Sequence, residues 1–139
     1  MEEGILFGYC INDVVLIDIS RQRIFRLDGR SSKIPCVPVR DTMMRLLLYM
    51  LTSTQGHILT NNEILLHVWD RHQLSSSSQR LWQVMKALKK KLDALGVPDE
   101  FIMRIEPHGY YVNQSIVSPL YLRRNSINTE LFQGSGSEI

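Results

Sequence analysis

The chain has 139 residues, of which 44% are hydrophobic, so it has room for one compact domain of roughly 100 residues and a tail. Sixteen basic residues against fourteen acidic ones give a net charge of only +2, which by itself demands no polyanionic partner. No apolar run reaches the roughly 18 residues that span a bilayer, and the amino-terminal MEEG lacks the basic segment of a signal peptide. We therefore expect a soluble, cytoplasmic chain.

The first forty residues predict an antiparallel meander of four short strands. The segments ILFGYCI, VVLIDI, RIFRL and KIPCVPV are rich in Ile, Val and Phe, and turn-forming residues separate them. Such a sheet would pack on one face. Cys10 and Cys36 lie in apolar surroundings without metal-ligand spacing, so we expect both to be buried thiols in a reducing compartment.

Two helices are predicted after the strands. From Asp41 to Ser53 the apolar residues fall on one stripe, and Asp41 or its neighbour can cap the helix. That stripe consists of Met44, Leu47, Leu48 and Leu51. Thr60 is the expected N-cap of the second helix, NNEILLHVWDR, and Glu63 stands where it completes a capping box. The residues of this helix that we expect to be buried are Leu65, Val68 and Trp69.

The segment from Ser75 to Gly96 predicts a third helix with two different faces. Its apolar residues recur every three or four positions, so they lie on one side of an α-helix and should face a core. They are Leu81, Met85, Leu88, Leu92 and Leu95. The opposite side carries Gln79, Gln83, Lys86 and Lys90, with Arg80, Ala87, Lys89 and Lys91 on its flanks. The serine run offers an N-cap, and Gly96 followed by Pro98 ends the helix.

The outward side of this helix suits the major groove of DNA. Gln and Lys can reach base edges there, and further cations meet phosphates. Five basic residues and no acidic one lie between Arg80 and Lys91, although the whole chain is nearly balanced in charge. The alternative is that these charges form only a solvated face, which is the commoner case for a Lys-rich helix.

After Gly96 the segments FIMRI and YYVNQ predict a two-stranded hairpin around the turn EPHG, in which Gly109 can supply a positive φ. Strands, three helices and a hairpin, in that order, are typical of a winged helix-turn-helix domain. We therefore predict an α+β fold over residues 1–114, with a four-stranded antiparallel amino-terminal sheet, three helices and a carboxyl-terminal β-hairpin wing. Residues 115–139 are expected to be a linker or tail, partly disordered, in which SIVSPLYL is the part that can be ordered.

The remaining polar residues form no catalytic or metal-binding pattern. His57, His67, His72 and His108 are scattered along the chain without a Cys or acidic partner at ligand spacing. The serines at 75–78 are more simply a loop and a helix cap than nucleophiles, and no glycine-rich phosphate loop is present. We therefore expect neither an enzyme nor a cofactor or metal site.

Three segments resemble signatures of the OmpR/PhoB-type winged-helix DNA-binding domain, in the same order. They are Asn61–Trp69 (NNEILLHVW), Met85–Leu92 (MKALKKKL) and Ile105–Val112 (IEPHGYYV). With the four-stranded amino-terminal sheet, the resemblance covers about residues 4–114. Because no receiver domain precedes these segments, the chain resembles the ToxR/CadC-like branch of bacterial regulators. In that branch the domain is often cytoplasmic and followed by a transmembrane helix, so the chain is either part of a protein with a membrane anchor beyond residue 139 or a soluble member.

The resemblance implies a role for each matching position. The recognition helix corresponds to Ser77–Leu95 and the wing to Arg104–Tyr111. The loop 71–78 corresponds to the segment that contacts RNA polymerase in activators. The base-reading and phosphate-contacting positions correspond to Gln79, Arg80, Gln83, Lys86, Ala87 and Lys89.

The chain also departs from the family at a few of these positions. At the wing tip, Glu106 and Pro107 replace a common arginine and a glycine, so Arg104 or His108 would have to supply the minor-groove contact. Trp82 stands where the family usually has a small or polar residue, and Ala87 where a base-reading arginine is common.

We predict a DNA-binding transcriptional regulator whose third helix enters the major groove of double-stranded DNA and whose wing meets the adjacent minor groove. The predicted contact residues are Gln79, Arg80, Gln83, Lys86, Ala87, Lys89, Lys90, Arg104 and His108. The family commonly binds direct repeats, which implies a head-to-tail dimer on DNA. The alternative is a winged-helix protein-interaction module that acts through a partner regulator or RNA polymerase without strong DNA binding of its own.

Overall fold

Strands and helices make up most of the chain that the computed structural model describes, which comprises residues 4–27, 36–53, 56–72, 74, 77–107, 109–124 and 129–132. The strands are β1 (Gly4–Ile11), β2 (Val15–Asp18), β3 (Arg23–Arg26), β4 (Cys36–Pro38), β5 (Leu59–Thr60), β6 (Ile102–Ile105), β7 (Gly109–Val112), β8 (Val117–Arg124) and β9 (Thr129–Phe132). The helices are α1 (Asp41–Leu51), α2 (Asn61–Ile64) and α3 (Ser78–Ala94). After α2 the chain stays helical through a π-helical segment, Leu65–Trp69, and a 3₁₀ turn, Asp70–His72.

The larger of two antiparallel sheets has the strand order β4-β3-β2-β1-β8-β9. Its first four strands form a meander in which each pairs with the next, so the predicted amino-terminal sheet is confirmed. The α+β fold class is confirmed as well. Tight turns join β1 to β2 and β2 to β3, and the positive φ of Asn12, Asp13 and Gln22 places left-handed residues at these two turns.

β8 lies beside β1 and makes it a central strand. The pairing runs from Gly4 opposite Arg123 to Ile11 opposite Val117, and the side chain of Leu120 is buried. The sheet therefore continues past residue 114, the domain boundary that the sequence predicts, because it includes β8. The segment that the sequence marked as able to be ordered, SIVSPLYL, supplies most of β8. Residues 125–128 and 133–139 lie outside the described part of the chain.

The smaller sheet has three strands in the order β5-β7-β6. The predicted hairpin is its β6–β7 pair, and β5 adds a short edge strand through the pairing of Leu59 with Tyr110 and Thr60 with Gly109. Gly109 does not have the positive φ expected of it. Its role is to allow close approach of β5, because a Cβ atom there would lie 3.1 Å from the carbonyl oxygen of Leu59.

Of the N-caps predicted for the first two helices, only that of α2 is confirmed. The N-cap of α1 is Arg40, which makes no side-chain capping bond. Asp41 instead accepts a 2.7 Å hydrogen bond from the Gln22 amide, which ties α1 to the turn before β3. At α2 the expected cap is present: the Thr60 hydroxyl accepts a 3.1 Å bond from the Glu63 backbone N–H. The Glu63 carboxylate lies 3.1 Å from Nε2 of His57.

One buried apolar cluster joins the larger sheet, the three helices and the base of the hairpin. Ile17 and Ile24 come from the sheet, Leu47 from α1, and Trp69 and Phe101 from the segments that flank α3. Cys10 is buried as expected, but Cys36 is exposed because β4 is an edge strand of the sheet. Within the described residues, no helix combines the length and apolar character needed to cross a membrane.

Candidate nucleic-acid interface

α3 is a helix with well-defined ends. The Ser77 hydroxyl accepts a 3.0 Å hydrogen bond from the Arg80 backbone N–H, so the serine run supplies the predicted N-cap. At the other end Gly96 has a φ of +94°. The backbone N–H groups of Gly96 and Val97 bond back to the carbonyl oxygens of Asp93 and Leu92, which is a Schellman motif. These local bonds fix the length and direction of the helix.

The predicted apolar stripe of α3 faces the core. Leu81, Met85, Leu88, Leu92 and Leu95 are all buried. Burial of each such side chain contributes roughly 1.5–3 kcal/mol, so the stripe determines which side of α3 faces outward.

The outward side of α3 carries the sequence-predicted contact residues. The exposed ones are Gln79, Arg80, Gln83, Lys86, Ala87 and Lys90, and Lys89 is half-buried. The structure therefore brings these seven positions together on one helix face. This face is positive because of Arg80, Lys86, Lys89 and Lys90, while the nearest acidic residue on the helix, Asp93, lies in its last turn. A surface of amides and cations on a rigid helix can bind a phosphate backbone and reach base edges.

Two contacts involve the cations of this face. The ammonium of Lys86 lies 4.8 Å from the ring centroid of Trp82, a cation–π contact with a side chain one helical turn away. Nζ of Lys89 lies 3.9 Å from a carboxylate oxygen of Asp99, in the 3₁₀ turn before β6. Lys89 is thus drawn toward the base of the hairpin, whereas Lys86 stays on the exposed surface.

The β6–β7 hairpin forms the wing, and its tip carries a close charge pair. Nε of Arg104 lies 3.5 Å from Oε2 of Glu106, and both side chains are exposed. Arg104, predicted as a contact residue, is therefore on the wing but beside a carboxylate. His108, predicted with it, lies outside the described residues. On β7, burial raises the pKa of the Tyr110 phenol above its ordinary value, and the nearby Arg104 charge partly offsets this rise. The phenol therefore stays neutral at physiological pH.

A cleft of about 580 Å³ lies between the wing and the amino-terminal ends of α2 and α3. The residues that define it include Asn61 and Asn62 of α2, Ser78 of α3, and Glu106 and Pro107 of the wing. Asn61 and Asn62 could not be predicted as groups of this site, because their position in the sequence indicates only the start of a helix. The cleft shows that the wing tip and the amino-terminal end of α3 border the same surface.

The segment 71–78 begins in the 3₁₀ turn and ends at the first residue of α3, and it is described at residues 71, 72, 74, 77 and 78. Leu74 is exposed, and so is Leu66 on the π-helical segment. The backbone N–H of Leu74 donates a 3.0 Å hydrogen bond to the carbonyl oxygen of Trp69. This bond holds the loop against the end of the π-helical segment. These two exposed leucines are candidates for protein contacts.

Comparison with known proteins agrees with this geometry. The sequence profile of the family described as "Transcriptional regulatory protein, C terminal" matches residues 39–112. The fold is similar to that of the DNA-binding domain of E. coli CadC, with 19% identity and a TM-score of 0.64 over 85% of this chain and 98% of that one. It is also similar to the DNA-binding domain of the response regulator AdeR, determined in complex with an intercistronic region, with 15% identity and a TM-score of 0.54 over 71% and 93% of the two chains. No curated protein matches the sequence.

Proposed function

The chain belongs to the OmpR/PhoB-type family of transcriptional regulatory proteins, whose profile covers residues 39–112, and from that premise we propose that it binds double-stranded DNA with α3 in the major groove and the wing at the adjacent minor groove. The members of this family are DNA-binding regulators of transcription. The AdeR domain, whose fold this chain shares, was determined with DNA, which supports duplex DNA as the partner.

The observation that carries the proposal is the division of α3 into a buried stripe and an exposed cationic face. Gln79, Gln83 and Lys90 are exposed, while the leucines on the opposite side are buried. Because burial of the stripe fixes the rotation of the helix, the cations and amides cannot turn away from the surface. An α-helix fits the width of the major groove, and the wing lies beside the same surface.

The proposal is tested by titrating the chain with a fluorescently labelled random-sequence duplex at two salt concentrations and following polarisation. Counterion release must make the affinity fall as salt rises, with a slope close to the number of phosphates neutralised. A duplex affinity that does not change with salt would reject DNA binding through this face. A labelled acidic protein with a net charge similar to that of the duplex serves as the control for nonspecific electrostatic attraction to any polyanion.

A second candidate function is a protein-interaction module that acts through a partner regulator or RNA polymerase. Two exposed leucines favour it, Leu74 within the loop 71–78 and Leu66 on the preceding π-helical segment. Replacing both leucines by serine should leave duplex affinity unchanged and reduce binding to RNA polymerase. If the same substitutions weakened DNA binding in a folded chain, this surface would belong to the DNA interface instead.

We expect the chain to be monomeric alone and to pair on DNA. A single winged helix buries only about 600–1,000 Å² on DNA, which gives limited selectivity at physiological salt, and the family commonly binds direct repeats. Sedimentation should therefore show a monomer without DNA and two chains on a duplex that carries two repeats. A tight dimer in the absence of DNA, or a one-to-one complex on the two-repeat duplex, would contradict this expectation.

Glu106→Arg should tighten duplex binding largely irrespective of base sequence. The carboxylate of Glu106 repels phosphates and lies 3.5 Å from Arg104, so its removal also frees that cation. One added phosphate contact would increase the salt slope by about one unit, whereas Arg104→Ala should weaken binding. The salt slopes of both variants are measured by polarisation.

The matched control for Glu106→Arg is Glu100→Arg, which makes the same charge change at an exposed position before β6, at the base of the hairpin. It should raise affinity much less. If Glu106→Arg lowered affinity in a folded chain, the carboxylate would be making a favourable contact with a base amino group or a partner protein, and the wing would have to be placed differently.

A further inference from the structure

Trp82 is the only large hydrophobic side chain of α3 that the structure leaves exposed. Its exposed fraction is 46%, whereas that of the other tryptophan, Trp69, is 1%. An indole that stays half exposed to water contributes little to the stability of the fold, because large apolar side chains stabilise a protein by being buried. The position of Trp82 on the cationic helix therefore points to a contact with something that the chain itself does not supply.

The geometry of α3 places Trp82 on the flank nearest the wing. Ser78, Trp82 and Lys86 follow one another at intervals of four residues, so they form one row along the helix. Ser78 borders the cleft across from Glu106 of the wing. Farther along the same flank, Lys89 lies 3.9 Å from Asp99, just before β6. The indole thus lies between two points at which this flank of α3 approaches the hairpin.

The cation–π contact sets the orientation of the pair. With Nζ of Lys86 at 4.8 Å from the ring centroid, the ammonium covers one face of the indole and is held close to the helix. With 46% of its surface exposed, the indole also presents apolar surface to solvent beside this ammonium. The Lys86 ammonium and the apolar indole ring, side by side, are suited to a ligand that presents a negative group next to an apolar one.

We propose that Trp82 is a base-contacting residue whose indole packs on the C5-methyl group of a thymine in the major groove while its ring holds the Lys86 ammonium beside a phosphate. The thymine methyl is the apolar group that the major groove displays, next to the charged backbone. This inference rests on the proposed function, since it requires α3 to lie in that groove. The inference implies that Trp82, at a position where the family usually has a small or polar residue, gives this chain a preference for A·T pairs.

The experiment compares two duplexes of equal length and charge, alternating d(A-T) and alternating d(A-U), which differ only in the thymine methyl groups. The wild-type chain should bind d(A-T) about fourfold more tightly, the factor expected for burying one methyl group. Trp82→Ala should bring the ratio of the two affinities close to one, and Trp82→Phe should keep most of it. Far-ultraviolet circular dichroism and thermal unfolding verify that each variant folds.

The matched control is Lys90→Ala, which removes a cation from the outward side of α3 without altering the indole. It should weaken binding to both duplexes equally and leave the ratio unchanged. A ratio in Trp82→Ala equal to that of the wild type, or a wild-type ratio of one, would overturn the assignment of Trp82 while leaving DNA binding established. If the wild-type chain bound neither duplex, the proposed function itself would fail, and the inference with it.

Discussion

Replacing Lys86 and Lys90 together by alanine should flatten the dependence of log affinity on log salt concentration by about two units, since each lysine neutralises one phosphate. Both side chains are exposed on the outward face of α3, and neither packs in the core. Alanine is also the best helix former, so the helix should persist. The variant should bind every duplex more weakly, with little change in its order of preference among sequences. The salt slope is measured by polarisation with the random-sequence duplex.

The matched control for this variant removes two cations from the larger sheet instead. Arg23 on β3 and Arg123 on β8 are exposed, and their double replacement by alanine gives the same net charge as the lysine variant. Its slope should stay within a fraction of a unit of the wild-type value. A slope that is unchanged in a folded Lys86→Ala/Lys90→Ala chain, or one that falls equally in the control, would mean that α3 does not carry the phosphate contacts.

A chain that ends at residue 114 should be much less stable than the full sequence, because it lacks β8. Loss of β8 removes the partner of β1 along its length, exposes the backbone groups of that strand and takes away the buried side chain of Leu120. Removing one buried leucine alone typically costs about 2–5 kcal/mol, a large part of the roughly 5–15 kcal/mol that stabilises a small domain. Urea unfolding followed by circular dichroism should therefore show a transition at far lower urea, or none.

Two variants separate the parts of this effect. Leu120→Ala in the full chain should lower the free energy of unfolding by about 2–5 kcal/mol, which is less than the truncation does. A chain that ends at residue 124 keeps β8 and should retain most of the stability. If the chain ending at residue 114 unfolded at the same urea concentration as the full chain, β8 would be an accessory strand and the boundary expected from the sequence would be right.

The features that the sequence predicts well are those that depend on neighbours in the chain. The stripe from Leu81 to Leu95 is buried as its period predicts, since helical geometry places these residues on one side and their apolar side chains favour burial there. The hydroxyls of Thr60 and Ser77 cap their helices, because a cap needs only the residues that follow within one turn. The positive face of α3 could be derived for the same reason.

The features that the sequence misses depend on partners far away in the chain. β5 is two residues long, too short to show a strand period, and exists because it pairs with β7. β8 follows polar turn residues and looks like a tail, yet its partner β1 lies more than one hundred residues earlier. Asp41 could cap α1 but instead accepts a bond from Gln22, a competition that sequence spacing does not reveal.

In the candidate site, the positions were predictable but their contacts were not. The resemblance identified Lys86, Lys89 and Arg104 by position. The structure adds that each has a partner, namely Trp82, Asp99 and Glu106. Such pairings alter how readily a cation can bind a phosphate, because its partner must either be released or stay in contact with it when the phosphate binds. They depend on side-chain placement and cannot be read from a motif.

The most direct test of DNA binding through α3 is a map of backbone amide chemical-shift changes in the ¹⁵N-labelled chain as a short duplex is added. The largest changes should fall on the outward side of α3, from Ser78 to Lys90, and on the wing around Arg104. Amides of the larger sheet and of the segment around Leu66 should change little. Large changes on the sheet or around Leu66, with α3 unaffected, would contradict the claim that this helix is the DNA-binding element.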